Sequence, residues 1–552
     1  MSEVLHPSVA RPAPDASVRA PAARRPLARA VGRWVVRHYR LSFGLVLVLM
    51  AVNVFLRLDG TAVNDSDEAR YGVSAYEMAQ GGSPIVTTYA ERPEYWNLKP
   101  PLGYWAMALT FRLLGVTPWT LRLPSALFAL ASVALTMLFA GRWLSRRAAI
   151  LSGLVLATAH GFLSNHGARS GDLDSALTLL LLLAALQVAH LDRSPRRRWT
   201  IALLGLLFGL AFLVKSFAIL PMVLAAAFYV VYTGAWRRSQ PLPAILSLLA
   251  FFLPIGGWAL ARYRADGTAY FLRRMVQEDL LARSTRVIDH VRYSPLGYVD
   301  GLGDRLAPWP ELIVVAVVAA LLVGRPRPWR RLRQGVMPLL LLWTVVPLLL
   351  FSVSKTQHHW YMDPAYPALA MLSGVALLGL LRRSSSRRRT AALLGLIVLP
   401  LVLCEARFLT HVLHRDRVPP SQHFLRALGR RPPELGSQLY AGFHLNHVER
   451  FLLEAVDGFR VVEAGGSGGP TVDAPVPRGA LVLLRKGHLP GVGPGPGSTY
   501  LAGTRRYALY RSGGRGPDPA TYGLIPDHFG ARLPARAAIP LTDEPPRSPD
   551  LP

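Results

Sequence analysis

Hydrophobic positions along this chain gather into long runs instead of alternating, at 41–57, 121–141, 148–165, 174–190, 200–214, 217–233, 242–261, 309–323, 336–352, 365–381 and 391–409. Most approach the roughly 17–25 residues that a tilted helix needs to cross a bilayer, with 200–214 and 309–323 short. The pattern predicts a polytopic α-helical membrane protein with about 11–13 transmembrane helices. The apolar run 102–115 is shorter and carries Arg112, which suits an amphipathic helix lying at the outer interface. Near residue 410 the runs give way to mixed sequence with strand-like stretches at 479–486 and 505–511 between Gly/Pro turns, so a small α/β domain is expected over 410–512.

Composition agrees with a membrane chain: 51% of the 552 residues are hydrophobic and 17% charged. The formal charge of +29 would suggest nucleic acid in a soluble protein, but most of the basic clusters sit in short loops between apolar runs, where they orient the chain and argue against that partner. Cys404 is the single cysteine, so neither an intrachain disulfide nor a cysteine metal site is available. Residues 1–40, rich in Pro, Ala and Arg, read as a basic, disordered cytoplasmic tail before a membrane part at 41–409; the Pro-rich 513–552 also reads as disordered.

With the N-terminus inside, Arg142, Arg146 and Arg147, then Arg193 and Arg196–Arg198, then Arg237 and Arg238, all fall on the cytoplasmic side. So do the clusters at 325–333 and 382–389. Counting 102–115 as a span would invert them all. Four segments are then left outside, 58–120, 166–173, 262–308 and 353–364, and the Asp, Glu, His, Tyr and Lys of the chain collect there. The 410–512 domain falls on that extracytoplasmic side too.

Candidate chemistry follows from these segments. Asn64, Asp65 and Ser66 can cap a helix that starts near Asp67 and ends at Gly81-Gly82. On it Asp67, Arg70, Tyr71 and Ser74 share a polar face, with Ala69, Val73 and Tyr76 on an apolar face turned to lipid; Glu68 points away from Asp67. N-terminal electrostatics alone could also place acids there. Asp172 suits capping or solvent, whereas for Asp174, at the mouth of a span, function and capping compete evenly. Lys99, before Pro100-Pro101, suits a phosphate or simple snorkelling. Lys215 marks a turn between two spans and could meet an anion. The eight Arg of 262–308 could grip a phosphate headgroup, with salt bridges to Glu278, Asp279 and Asp289 as the competing account. In 353–364, Lys355 could meet phosphate, and Trp360 or Tyr361 could stack on a sugar or prenyl chain; the neighbouring His358 and His359 are a weak metal signal. Asp67-Glu68 could hold a divalent cation through oxygen, but two adjacent acids do not specify one, and no cofactor is otherwise indicated.

The order DEARY, KPPLGYW, GDLDSALT, FLVKS and SVSKTQHHWY resembles the bacterial ArnT/PMT-like membrane glycosyltransferases of the GT-C class, related to aminoarabinose transferases and protein O-mannosyltransferases. The likeness covers roughly residues 40–380. It implies a GT-C fold, a polyprenyl-phosphate sugar donor, a lipid, glycan or protein acceptor, and outer-leaflet chemistry with inversion at the bacterial cytoplasmic membrane. By motif, Asp67 corresponds to the usual catalytic acid, with Glu68, Arg70 and Tyr71 beside it. Lys99 corresponds to a donor-phosphate ligand, Asp174 to an acid of the second outer loop, and Lys355 and Tyr361 to the late-loop lysine and tyrosine. Leu98, Ser216 and the Gln357-His358-His359 run depart from the family pattern, which leaves donor sugar and acceptor open. A lipid-linked sugar flippase or transporter is the competing function; it would place ionisable groups near the midplane on broken helices.

Overall fold

The structure is a computed structural model that describes residues 27–95, 98–164, 166–191, 197–238, 241–287, 293–294, 296–299, 301, 309, 335–383, 387–415, 417–429, 437–463, 476–486 and 497–513. The expected span at 309–323, apart from residue 309, and the tail at 514–552 lie outside the described residues.

The apolar runs fold as helices: α1 (Leu27–Arg37), α2 (Tyr39–Phe55), α3 (Asp67–Ala79), α4 (Leu102–Leu114), α5 (Pro118–Trp143), α6 (Arg146–Thr158), α7 (Asp174–His190), α8 (Arg197–Lys215), α9 (Leu220–Tyr232) and α10 (Pro241–Asp266). After α11 (Tyr270–Met275) come α12 (Met337–Val353), α13 (Tyr366–Arg383) and α14 (Arg387–Thr410). Among the described residues, five helical stretches are long and apolar enough to cross a membrane, or six if α1 and α2 count as one bent span; α4, α7 and α12 are shorter and apolar. The helix α1 corrects the expectation of disorder up to residue 40. Its Val31 and Trp34 are exposed and it meets α2 at 87°, as suits a helix lying along an interface before the chain turns inward.

One of those stretches, Arg198–Tyr232, is a 35-residue helical run made of α8 and α9. Gly205 lies against Ser247 and Gly209 against Phe251, so α8 and α10 run in parallel, packed through a Gly-x-x-x-Gly surface. The intervening α9 must therefore run back. The reversal occurs where Lys215 leaves helical geometry (φ −146°, ψ 41°) and Ser216 takes φ +41°. The turn expected at Lys215 is present. Outward-facing Leu249, Phe252 and Leu253 on α10 and Leu399, Val402 and Leu403 on α14 need an apolar surrounding.

At one end of the bundle arginine side chains hold the connections. The C-terminus of α2 leaves its last carbonyls unpaired, and Arg169 donates to those of Asn53, Val54, Leu56 and Arg57. Arg112, at the end of α4, donates to Met78 and Ala79 at the end of α3.

The C-terminal part carries a five-stranded sheet, order β4-β3-β5-β7-β6, from β3 (Gln438–Ala441), β4 (Arg460–Glu463), β5 (Leu481–Arg485), β6 (Thr499–Gly503) and β7 (Tyr507–Arg511). The strands β1 (Thr88–Tyr89) and β2 (Arg92–Pro93) form a separate hairpin after α3. In the sheet β3 pairs in parallel with β4 and β5, while β7 is antiparallel to β5 and β6. Two helices, α15 (Pro420–Leu428) and α16 (His447–Arg450, continuing with a wider turn to Val456), bring this part onto α3. Phe451 closes over Gly72, where a Cβ would stand 2.7 Å from its ring. Ala69 and Val73, expected to face lipid, are buried in the same core as Phe451, because the C-terminal part covers that face of α3.

Candidate active site

The four polar segments expected on one face converge at one end of the bundle on a cavity of about 830 Å³. Asp65, Asp67, Arg70 and Lys99 reach it from the first, His166 and Asp174 from the second, Asp279 and Arg283 from the third, and Gln357 to Tyr361 from the fourth. Lys215 and Ser216 enter from the α8–α9 reversal, and His447 from α16. Leu177, Leu220, Leu224, Leu350 and Phe351 form an apolar wall beside them.

One side of the cavity is cationic. Lys99 donates to both oxygens of Asp279, at 2.7 and 2.8 Å. Ser216 Oγ donates to the same carboxylate at 3.0 Å, and Arg283 Nε stands 3.6 Å from it. Burial pulls the Lys99 ammonium below its ordinary range, with Asp279 opposing. Arg283 also donates to the Tyr361 hydroxyl at 3.1 Å.

A second cluster is acidic. Asp67, His166 and Asp172 place ligand atoms within 4.8 Å of one another, and Asp174 holds Lys215 through both oxygens at 2.7 and 2.6 Å. His166 Nδ1 lies 3.2 Å from Asp172 Oδ1 and 4.0 Å from Asp174 Oδ2. Asp172 also accepts from Ser170 Oγ. Burial works against the Asp172 carboxylate, but His166, Ser170 and Lys215 outweigh it and hold its pKa below the usual range. Burial likewise works against the His166 imidazolium, and the Asp172 and Asp174 charges outweigh it, raising its pKa. Asp172, expected to cap or to face solvent, is instead buried beside His166 and Ser170.

The remaining sequence candidates divide. Arg70 reaches the cavity but is anchored to the buried Glu94. Tyr361 lines it too, whereas Tyr71 is buried behind it, edge-on to Tyr104, with burial and the nearby acids raising its pKa well above the ordinary value. Glu68, read as substrate-binding, lies outside the cavity lining. Its oxygens accept from Arg122 at 2.6 and 3.0 Å, from Asn64 N at 2.8 Å and from Gly171 N at 2.9 Å, leaving no room for substrate. Lys355 is also outside the lining: it is exposed, with its ammonium 4.2 Å from the Tyr293 ring centroid. Trp360 lines the cavity, but His166 stacks on its ring at 3.6 Å and His358 at 4.3 Å, so neither face is open to a sugar. Of the residues that sequence reasoning did not single out, His166 stood at the start of the outer segment 166–173, whereas His447 gave no local signal.

The family described as dolichyl-phosphate-mannose-protein mannosyltransferase matches residues 98–258. An undecaprenyl phosphate-alpha-4-amino-4-deoxy-L-arabinose arabinosyl transferase of Pseudomonas aeruginosa (strain LESB58) is 31% identical over 363 residues, 63% of this chain and 61% of the relative. The transferase of the same name from Pectobacterium carotovorum subsp. carotovorum (strain PC1) is 28% identical, over 62% and 60%. The crystal structure of ArnT from Cupriavidus metallidurans bound to undecaprenyl phosphate superposes with a TM-score of 0.63 at 21% identity, covering 87% of this chain and 98% of that one. The chain is ArnT/PMT-like. It has the GT-C fold of ArnT and is an integral membrane protein. It spans about three-fifths of the length of the curated ArnT-type relatives it matches.

Proposed function

We propose that this ArnT-like chain is a glycosyltransferase that moves a sugar from a polyprenyl phosphate to a lipid, glycan or protein acceptor, at the outer face of the bacterial cytoplasmic membrane. The observation that carries the reading is the cavity itself, which gathers cations, carboxylates and an apolar wall between helices. A prenyl chain suits the wall. Lys99 and Arg283, with the Tyr361 hydroxyl, suit the donor phosphate, which would take the place of Asp279 as their anion.

In the reaction the acceptor oxygen attacks the anomeric carbon from the face opposite the phosphate, which inverts the configuration. The bond from that carbon to the phosphate oxygen breaks, and the prenyl phosphate leaves with the bonding pair. Asp67 takes the acceptor proton, while Lys99 and Arg283 stabilise the charge gathering on the leaving phosphate. Asp174 holds Lys215 at the acceptor side. If the acceptor is a phosphate, it brings no proton and Asp67 orients it. The ionisable groups collect at the helix ends and their connections, where a transferase needs them, instead of along broken helices at mid-membrane.

The test is sugar transfer or release from a panel of radiolabelled polyprenyl-phosphate sugars by the purified protein, wild type beside Asp67→Asn. Turnover by the wild type and its loss in the variant is expected. Equal turnover would remove the role of Asp67, and none with any donor would favour a transporter. A reporter fused after residue 410 should be active only outside the cytoplasm.

A further inference from the structure

We propose that His166, Asp172 and Asp67 bind one divalent transition-metal ion, Zn²⁺ the best fit, which orients the acceptor in the cavity.

The first observation is convergence. Asp67 comes from the start of α3 and the other two residues from the connection between α6 and α7. His166 Nδ1 and one oxygen of each carboxylate lie within 4.8 Å of one another, the only such group of three among the described residues.

The second observation is what two of those atoms lack. His166 and Asp172 are 4% and 3% exposed, and neither His166 Nδ1 nor Asp172 Oδ1 has a hydrogen-bond partner, although they stand 3.2 Å apart. Buried polar atoms are seldom left in that state. A proton between the two is the competing account, but it needs an N–H aimed at the oxygen, and the pair lacks that alignment. Two atoms held by one ion at about 2.1 Å each, at angles of about 90–110°, stand about 3.0–3.4 Å apart, and the observed spacing falls in that range.

The groups behind the two ligands hold them in place, as the partners of metal ligands do. The other oxygen of Asp172 accepts from Ser170 Oγ, and its carbonyl accepts from Ser125 Oγ at 2.7 Å. The imidazole lies on Trp360 at 3.6 Å and 12°, and its backbone takes the left-handed φ of +67°, strain of the kind that gathers at ligand sites. Asp67, less buried than the other two, completes the set by turning its carboxylate inward.

Charge and donor type select the ion. The neighbouring acids Glu68 and Asp174 are engaged by Arg122 and Lys215, and the two carboxylates of the cluster match a doubly charged cation. An imidazole nitrogen suits zinc better than Mg²⁺ or Ca²⁺, which favour oxygen ligands. Three protein ligands leave a fourth position for an acceptor oxygen, and His166 and Asp67 both line the cavity from which it would come. The second oxygen of Asp67 stays available for the acceptor proton.

The effect on turnover rests on the transferase reading, whereas binding of the ion is measured apart from it. Full-length protein purified without a histidine tag is stripped with a chelator and titrated with ZnCl₂, and bound metal is counted by inductively coupled plasma mass spectrometry. One zinc per chain is expected, with a higher unfolding temperature in zinc than in chelator. His166→Asn, in which asparagine tolerates the left-handed backbone, and Asp172→Asn should each weaken binding by more than about 100-fold. Ser170→Ala, which releases only the second oxygen of Asp172, should weaken it by about 10- to 100-fold. His444→Asn, at an exposed histidine of the C-terminal part, should bind as the wild type does. Unfolding in chelator checks that each variant is folded. Stripped wild type should lose sugar transfer and regain it with zinc.

A wild type that takes up no zinc, or uptake that is unchanged in folded His166→Asn and Asp172→Asn, overturns the proposal. Full turnover by the stripped protein does so too. Zinc bound through these residues together with no transfer from any donor would sink the transferase reading and leave the metal site standing.

Discussion

Replacing Glu68 separates a structural acid from a substrate ligand, the two readings that its place beside Asp67 allows. Arg122 is 1% exposed and lies inside the bundle, where its guanidinium meets both oxygens of Glu68, the carbonyls of Leu58 and Ala62, and the Thr61 hydroxyl. Glu68→Ala removes every carboxylate contact to Arg122, Asn64 and Gly171 and leaves a buried, half-satisfied cation. Breaking one partner of such a pair costs about 3–5 kcal/mol, whereas replacing both by apolar groups of similar volume is often neutral. Glu68→Ala should therefore lower thermal stability in detergent sharply, and Glu68→Leu with Arg122→Met should recover only part of it, because the backbone groups of Asn64, Gly171, Leu58 and Ala62 stay unpaired. Glu68→Gln keeps an oxygen and loses the charge, so its cost should be smaller, about 1.5–3 kcal/mol. Where these variants stay folded, donor KM should match the wild type. A Glu68→Gln protein of unchanged stability and raised donor KM would refute the reasoning and restore Glu68 as a ligand.

Three further outcomes follow from the same geometry. Lys99→Met should raise the donor KM by about 10- to 100-fold, the loss of one charge-assisted contact of about 1.5–3 kcal/mol, measured in transfer assays at fixed acceptor. Gly72→Val should displace Phe451 and cost about 1–3 kcal/mol, with Phe451→Ala in the same chain recovering part of it, as read by protease cleavage of the C-terminal part. Glu454 has its pKa pushed up to about 7 by burial, against the pull of Arg450. Its folded value exceeds its unfolded one, so its proton stabilises the fold at low pH and that stabilisation is lost as pH rises through 7. Glu454→Gln should then raise the unfolding temperature at pH 8.5, by an amount worth about 2–3 kcal/mol, and give no gain near pH 5.

What the chain order reveals and what it hides have separate physical causes. Apolar runs and Arg-rich loops are local signals, so the helices and the shared face of the four polar segments could be read from them directly. The turn at Lys215 was legible for the same reason, because a cation in a run of more than thirty residues is costly anywhere but at an end. Pairing is not local. Glu68 and Lys355 looked like ligands because acids and lysines in a polar loop resemble one another until their partners are known, and Arg122 and Tyr293 lie far from them in sequence. Trp360 looked like a sugar platform until two imidazoles were found covering its faces. The covering of α3 by residues near 451 was hidden for a further reason: the apolar face of that helix carries the same pattern whether lipid or protein lies on it. Only the glycine at position 72 differs, and its missing side chain is what lets Phe451 close over the helix behind Asp67. His447, on the same covering helix, meets Tyr89 at 2.6 Å and lines the cavity, so the C-terminal part contributes to the wall of the site as well as to its support.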